Sequence, residues 1–156
     1  MMGKNRIEHE GLGLFRARRK NSRKWLEGYY VRVLETAGYH SPAFCHYIIF
    51  QKADSGRVCR AEISPDTLCR CTGVRDKNSR LIFEHDIVRR EIWDDEAIGK
   101  VVWSDIGLTG FFLEVADKNK KGVSHSYPIS RGRFDDDEWN VNTDEVIGNV
   151  FDCPIC

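Results

Sequence analysis

Residues 43–63 read AFCHYIIFQKADSGRVCRAEI, and this stretch decides the fold class. Its first eight residues are rich in β-branched and aromatic side chains, which is typical of a strand. Asp54, Ser55 and Gly56 then supply a turn, because Gly adopts positive φ at little cost and Asp bonds to nearby backbone. The following residues alternate, with Val58, Arg60 and Glu62 on one face. The stretch therefore predicts an antiparallel hairpin from about 43 to 63.

The same pattern of short apolar runs broken by turn residues recurs along the chain. The other predicted strands cover residues 29–34, 67–72, 81–83, 87–88, 98–103, 109–115 and 145–151. We expect the run at 109–115 to pair with 98–103 across a turn at 104–107. The sequence thus predicts a mainly β protein with a small antiparallel sheet or barrel. A short helical or irregular segment is expected within 12–26, where Leu12, Phe15 and Arg19 stand at helical spacing.

Length and composition indicate a folded cytoplasmic protein. The chain has 156 residues, of which 41% are hydrophobic, and this amount is enough for one domain with a core. No apolar run reaches the ~20 residues that cross a bilayer. Residues 1–14 carry charges and no apolar stretch of the signal-peptide kind, so we expect no export and no membrane partner. The six cysteines are then expected to be free or metal-bound thiols.

The charges are unevenly distributed along a chain whose formal net charge is zero. Residues 1–33 carry nine basic and three acidic residues, giving +6, whereas residues 91–156 carry six and fourteen, giving −8. One interpretation is attraction between the two ends, within one chain or between copies, and the other is a phosphate-binding face. The candidate residues for nucleic-acid contact are Arg16, Arg18, Arg19, Lys20, Arg23, Lys24 and Trp25.

Residues 72–88 read TGVRDKNSRLIFEHDIV and resemble the signature of the YopX family, small proteins of bacterial prophages and mobile elements. The downstream segments GKVVW at 99–103, GFFL at 110–113 and VIGNVFDCP at 146–154 are similar to later motifs of that family. A looser resemblance covers FRA at 15–17 followed by Trp25. The strong resemblance spans about 68–155, and the weaker one about 12–67.

Two positions depart from the family pattern. Ser79 and His85 stand where the family has glycines, which usually supply positive φ. His tolerates the left-handed region better than most residues, at some energetic cost, and we expect the turn to form with altered local geometry. Glu84 and Asp86 fall at a strand-to-strand corner, where carboxylates accept backbone N–H groups, and we interpret Asp86 as a capping residue and not as a catalytic one.

The resemblance implies a fold, an origin and a location. It implies a single mostly β domain over 1–156, with an N-terminal β part at about 12–66 and a compact, SH3-like barrel at about 67–156. It also implies a phage or prophage protein in a bacterial cytoplasm. It implies no biochemical activity.

The cysteines offer one candidate metal site. Cys69 and Cys71 would point to the same side of a strand. Together with Cys153 and Cys156 they could present four thiolates to one Zn²⁺, although the first pair is one residue short of the usual spacing. The alternatives are a redox-active pair at 153 and 156 or buried free thiols, and we predict no metal or other cofactor.

No sequence motif of a known catalytic class is present, and the histidines are scattered. His125 lies between Ser124 and Ser126, but nucleophilic catalysis would need a spatial pairing with an orienting acid. The sequence therefore predicts a binding or assembly module without catalytic residues, which associates with itself or with a host or phage protein. The alternatives are nucleic-acid contact through 16–24 and a zinc- or thiol-dependent activity.

Overall fold

A computed structural model of the chain describes residues 13–36, 38–39, 41–129 and 142–152. Strands dominate this part of the chain, and its helical content is a single 3₁₀ turn at Pro65–Thr67. The strands are β1 Phe15–Arg18, β2 Trp25–Glu35, β3 Ala43–Gln51, β4 Val58–Glu62, β5 Cys69–Arg75, β6 Leu81–Phe83, β7 Asp86–Ile92, β8 Asp95–Ser104, β9 Gly110–Ala116, β10 Ser124–Pro128 and β11 Glu145–Asn149.

The strands form two antiparallel sheets, so the prediction of a mainly β fold is confirmed. Six strands follow the order β4-β3-β2-β1-β5-β6, and five follow the order β10-β9-β8-β7-β11. In the described residues, β10 and β11 end the second sheet and do not pair with each other. A closed SH3-like barrel over residues 67–156 is therefore not confirmed. No helix in the described ranges is long and apolar enough to cross a membrane.

The prediction of a short helix within 12–26 is wrong for the residues that the structure describes there. Residues 15–18 form β1, which pairs with the start of β2 so that Phe15 lies opposite Gly28. Phe15 and Ala17 both contribute to one hydrophobic cluster, which is a period of two and not of 3.6. Three residues at helical spacing were too few to outweigh this alternation.

Residues 13–71 form one compact unit. The hairpin predicted over 43–63 is confirmed, because β3 pairs with β4 from Tyr47 opposite Glu62 onward. The chain after β4 then returns to β1, where the Lys20 N–H donates to the Glu62 carbonyl oxygen at 2.9 Å. The core of this unit consists of Ala17, Leu26, Ile48 and Ile63.

The described residues from 72 onward form a second compact unit. Here β8 and β9 form the hairpin that the sequence predicts, and β11 adds to β7 with a bulge between Val146 and Gly148. The core of this unit consists of Val74, Ile82, Val88, Val101, Leu113, Ile129 and Val146. The single domain predicted over residues 1–156 stays a prediction.

Both residues that replace family glycines adopt the positive φ that glycine usually supplies. Ser79 has φ 64° and His85 has φ 69°, both in the left-handed region that favours glycine. Asp86 follows His85 and is fully buried. Its Oδ2 accepts the Phe83 N–H at 2.8 Å and its Oδ1 accepts Asn149 Nδ2 at 3.1 Å. The predicted capping of this corner by Asp86 is thus confirmed.

Candidate functional site

The turn between β1 and β2 presents four basic side chains to solvent. Arg19, Lys20, Arg23 and Lys24 are all exposed, and we call them the basic turn. The Arg19 N–H donates to the Lys24 carbonyl oxygen at 2.9 Å, which closes the turn. Asn21 accommodates it with φ 58°, a conformation that Asn tolerates better than most residues. The local sequence therefore concentrates positive charge at one hairpin end.

Only part of this charge is compensated nearby. Lys20 Nζ lies 2.8 Å from Glu62 Oε1, and the hydrogen bond to Glu62 raises the pKa of Lys20. Within the part of the chain that the structure describes, the side chains of Arg19, Arg23 and Lys24 form no ion pair. The basic turn therefore keeps a local excess of positive charge, which can attract anionic groups.

The other three candidate residues lie beside the turn in a different environment. Arg16 is 5% exposed, and its guanidinium carbon lies 5.0 Å from the centroid of the Trp25 ring. Arg18, directly opposite Trp25 in the β1–β2 register, lies 5.3 Å from the same centroid. These are cation–π distances. Trp25 is thus engaged by two arginines of its own hairpin.

The structure describes half of the candidate cysteine site. Cys69 and Cys71 lie in β5 and are both buried, and the Cys69 thiol donates to the Thr67 carbonyl oxygen at 3.2 Å. Cys153 and Cys156 fall outside the described residues. Over the described ranges, no group of three or more His, Cys, Asp or Glu residues could hold a metal ion. A zinc site of all four cysteines stays a prediction.

His125 has an acidic neighbour, but the two serines that flank it in the sequence point away from it. His125 Nε2 lies 3.3 Å from Asp117 Oδ2, and the pKa of Asp117 is lowered, mainly by the hydrogen bond from the Asn119 N–H. Ser124 and Ser126 flank His125 within β10, so their side chains point to the opposite face. The local Ser-His-Ser sequence therefore does not bring a hydroxyl to this imidazole.

The hairpin between β7 and β8 carries a feature that the sequence analysis missed. Ile92 pairs with Asp95, so Trp93 and Asp94 alone form the turn. Trp93 has φ 57° and is 96% exposed. With Asp94, Asp95 and Glu96 it forms what we call the acidic tip. The sequence does show the acidic run at 94–96. The tight turn was not predicted, because neither of its two residues is the Gly or Asn that usually indicates one.

Ion pairing neutralises the acidic tip only weakly. Glu96 Oε1 lies 3.3 Å from Arg89 Nε, and Asp95 Oδ1 lies 3.9 Å from Lys118 Nζ, with both of the latter side chains more than 70% exposed. Such exposed pairs contribute little. Asp94 forms no ion pair with any residue that the structure describes.

A groove of about 640 Å³ opens beside the acidic tip. Its apolar lining includes Ile98, Val115 and Tyr127, and its carboxylates include Asp95, Glu96 and Asp117. Lys118 and His125 also line the groove, beside these three carboxylates. The groove can still hold a cationic side chain with a methylene stem, because the stem can contact apolar groups while the charge meets a carboxylate.

Comparison with known proteins places the chain in a family. No curated protein and no solved structure matches it significantly. The family model described as YopX protein matches residues 14–155, which is nearly the whole chain and agrees with the motifs at 72–88 and 146–154. The chain therefore belongs to the YopX family.

Proposed function

We propose that this protein is a non-enzymatic binding and assembly module, whose basic turn contacts an acidic protein surface on another copy or on a host or phage protein. The observation that carries the proposal is the exposure of four cations within residues 19–24, three of them without an ion-pair partner among the described residues. The prophage character of the family's members supports a setting in the bacterial cytoplasm.

Electrostatic reasoning supports a partner of opposite charge. The N-terminal 33 residues carry +6 and the last 66 carry −8, so two copies can attract each other although each is neutral. Contacts of this kind act within about 8–10 Å at physiological salt and weaken as salt rises. They also accelerate encounter more than they add affinity, which suits reversible assembly.

Light scattering at low and high salt tests this proposal. We expect the wild-type protein to exceed monomer mass at low salt and to approach it at high salt. Arg23→Glu with Lys24→Glu should abolish the association. Lys52→Glu with Arg57→Glu is the matched control, since it makes the same charge change beside another exposed turn. The proposal would be contradicted if the protein stays monomeric at every salt concentration and also retains no host or phage protein in a pull-down.

Nucleic acid is the second candidate partner, and the same exposed cations favour it. If the four side chains of the basic turn contact phosphates, the logarithm of the binding constant should fall with that of salt with a slope of about −3 to −4. The engagement of Trp25 by Arg16 and Arg18 argues against base stacking there. Fluorescence anisotropy titration of labelled single- and double-stranded DNA tests for this contact. Nucleic acid is excluded as the partner if no binding is seen, or if the binding does not weaken as salt rises.

A zinc- or thiol-dependent activity remains the third alternative from the sequence. Metal analysis of protein purified without chelators tests it, with Cys69→Ser as the variant that should lose the metal. Protein without zinc and with unreactive thiols would exclude it.

A further inference from the structure

We propose that the acidic tip, residues 93–96, together with the adjoining groove, is the docking surface for the basic turn of a second copy of this chain. This inference rests on the proposed assembly function and identifies its partner and its contact surfaces. It follows from the backbone of Trp93, from the charges of the two turns and from the lining of the groove.

Trp93 is an unusual residue for its position. Bulky side chains rarely adopt positive φ, and a tight hairpin turn of this kind ordinarily carries Gly, Asn or Asp there. Trp93 has φ 57° and, at 96% exposure, gains almost no packing within its own chain. Backbone outliers of this type concentrate at binding and catalytic sites. Tryptophan is also among the residues most enriched at the energetic centres of protein interfaces.

The charges of the two turns are complementary. The acidic tip has three carboxylates in four residues. The groove adds Asp117 together with Lys118 and His125, so the excess of negative charge lies mainly at the tip. The basic turn has four cations in six residues. An arginine or lysine of the basic turn can place its stem against Ile98 and Val115 while its charge meets these carboxylates. Trp93 would then cover the contact and can receive a guanidinium on its ring face.

The two surfaces are different, so two copies can either exchange the contact reciprocally in a two-fold dimer or make it head-to-tail. In the head-to-tail arrangement, each copy offers its basic turn to one neighbour and its acidic tip to another. Repetition of such a contact gives a closed ring if the rotation closes and an open chain if it does not. We therefore expect salt-sensitive dimers or larger species at high protein concentration.

A charge-reversal experiment tests the pairing directly. One variant carries Asp94→Lys and Asp95→Lys, and the other carries Arg23→Glu and Lys24→Glu. Each variant alone should be monomeric by light scattering, because its residues 19–24 and its residues 93–96 no longer carry opposite net charges. An equimolar mixture should associate again, because each variant meets its complement in the other. Association of either variant alone at the wild-type level, or a mixture that stays monomeric, would overturn the inference.

Replacement of Trp93 separates binding from folding. Trp93→Gly relieves the backbone strain, so we expect a higher melting temperature together with at least a tenfold weaker self-association. Tyr39→Ala is the matched control, since Tyr39 is a fully exposed aromatic in the other unit, and it should associate normally. Wild-type affinity in Trp93→Gly would overturn the inference. If the wild type never associates, both the proposed self-assembly and the docking surfaces are wrong. If the wild type associates but substitutions in the basic turn and the acidic tip leave the association unchanged, only the docking surfaces are wrong.

Discussion

The substitution Asp86→Ala should strongly destabilise the unit formed by the described residues from 72 onward. Asp86 is fully buried, and its two oxygens accept the Phe83 N–H and Asn149 Nδ2. Alanine would leave both donors buried without this acceptor. Each such donor costs about 1–3 kcal/mol, so we expect a loss of roughly 2–6 kcal/mol. This is a large part of the ~5–15 kcal/mol that stabilises a typical domain.

Urea unfolding followed by circular dichroism measures this loss. Asp94→Ala is the control, because Asp94 is an exposed carboxylate in the turn that follows the other end of β7, and its loss should change the unfolding free energy by less than about 0.5 kcal/mol. A double-mutant cycle with Asn149→Ala should give a coupling energy of about 1–3 kcal/mol. Equal midpoints for Asp86→Ala and Asp94→Ala would refute the reasoning.

Three further predictions concern stability. Ser79→Gly should raise the unfolding free energy by about 0.5–1 kcal/mol, since φ is 64° there; an unchanged or lower melting temperature would contradict this. Gly28→Ala should destabilise far more than Gly148→Ala, because its Cβ would clash with the Ile49 carbonyl oxygen, and equal melting temperatures would refute it. The pKa of Glu145 is lowered, first by its hydrogen bond with Arg89. A carboxylate with a lowered folded-state pKa stabilises above its unfolded-state pKa and loses this effect as pH falls through the folded value. Glu145→Gln should therefore be less stable than the wild type near neutral pH, with the difference vanishing in acid; a difference independent of pH would be inconsistent.

Much of the fold could be predicted because its signals are local. The hairpin over 43–63 follows from two strand-forming runs and a Gly-containing turn. The pairing of β8 with β9 follows in the same way. The positive φ of Ser79 and His85 followed from the family's glycines at those positions and not from the residues themselves.

The remainder could not be predicted because it depends on register and on which residues face solvent. Arg16 and Arg19 are equivalent in a charge count, yet Arg16 lies within β1 and is buried, whereas Arg19 lies at the turn and is exposed. The β7–β8 hairpin was missed because its turn consists of Trp93 and Asp94, where the sequence rules look for glycine or asparagine. The exposure of Trp93 becomes visible only once Ile92 and Asp95 are paired.

The attachment of β11 has a consequence for biosynthesis. The Val146 N–H donates to Asp76 Oδ2 at a separation of 70 residues, and Asn149 reaches Asp86 at a separation of 63. Both carboxylates are buried and depend on a strand that is translated long after them. We therefore expect the earlier strands of this unit to complete their fold only after residues 144–149 have left the ribosome, which predicts slow, late folding of this part of the chain.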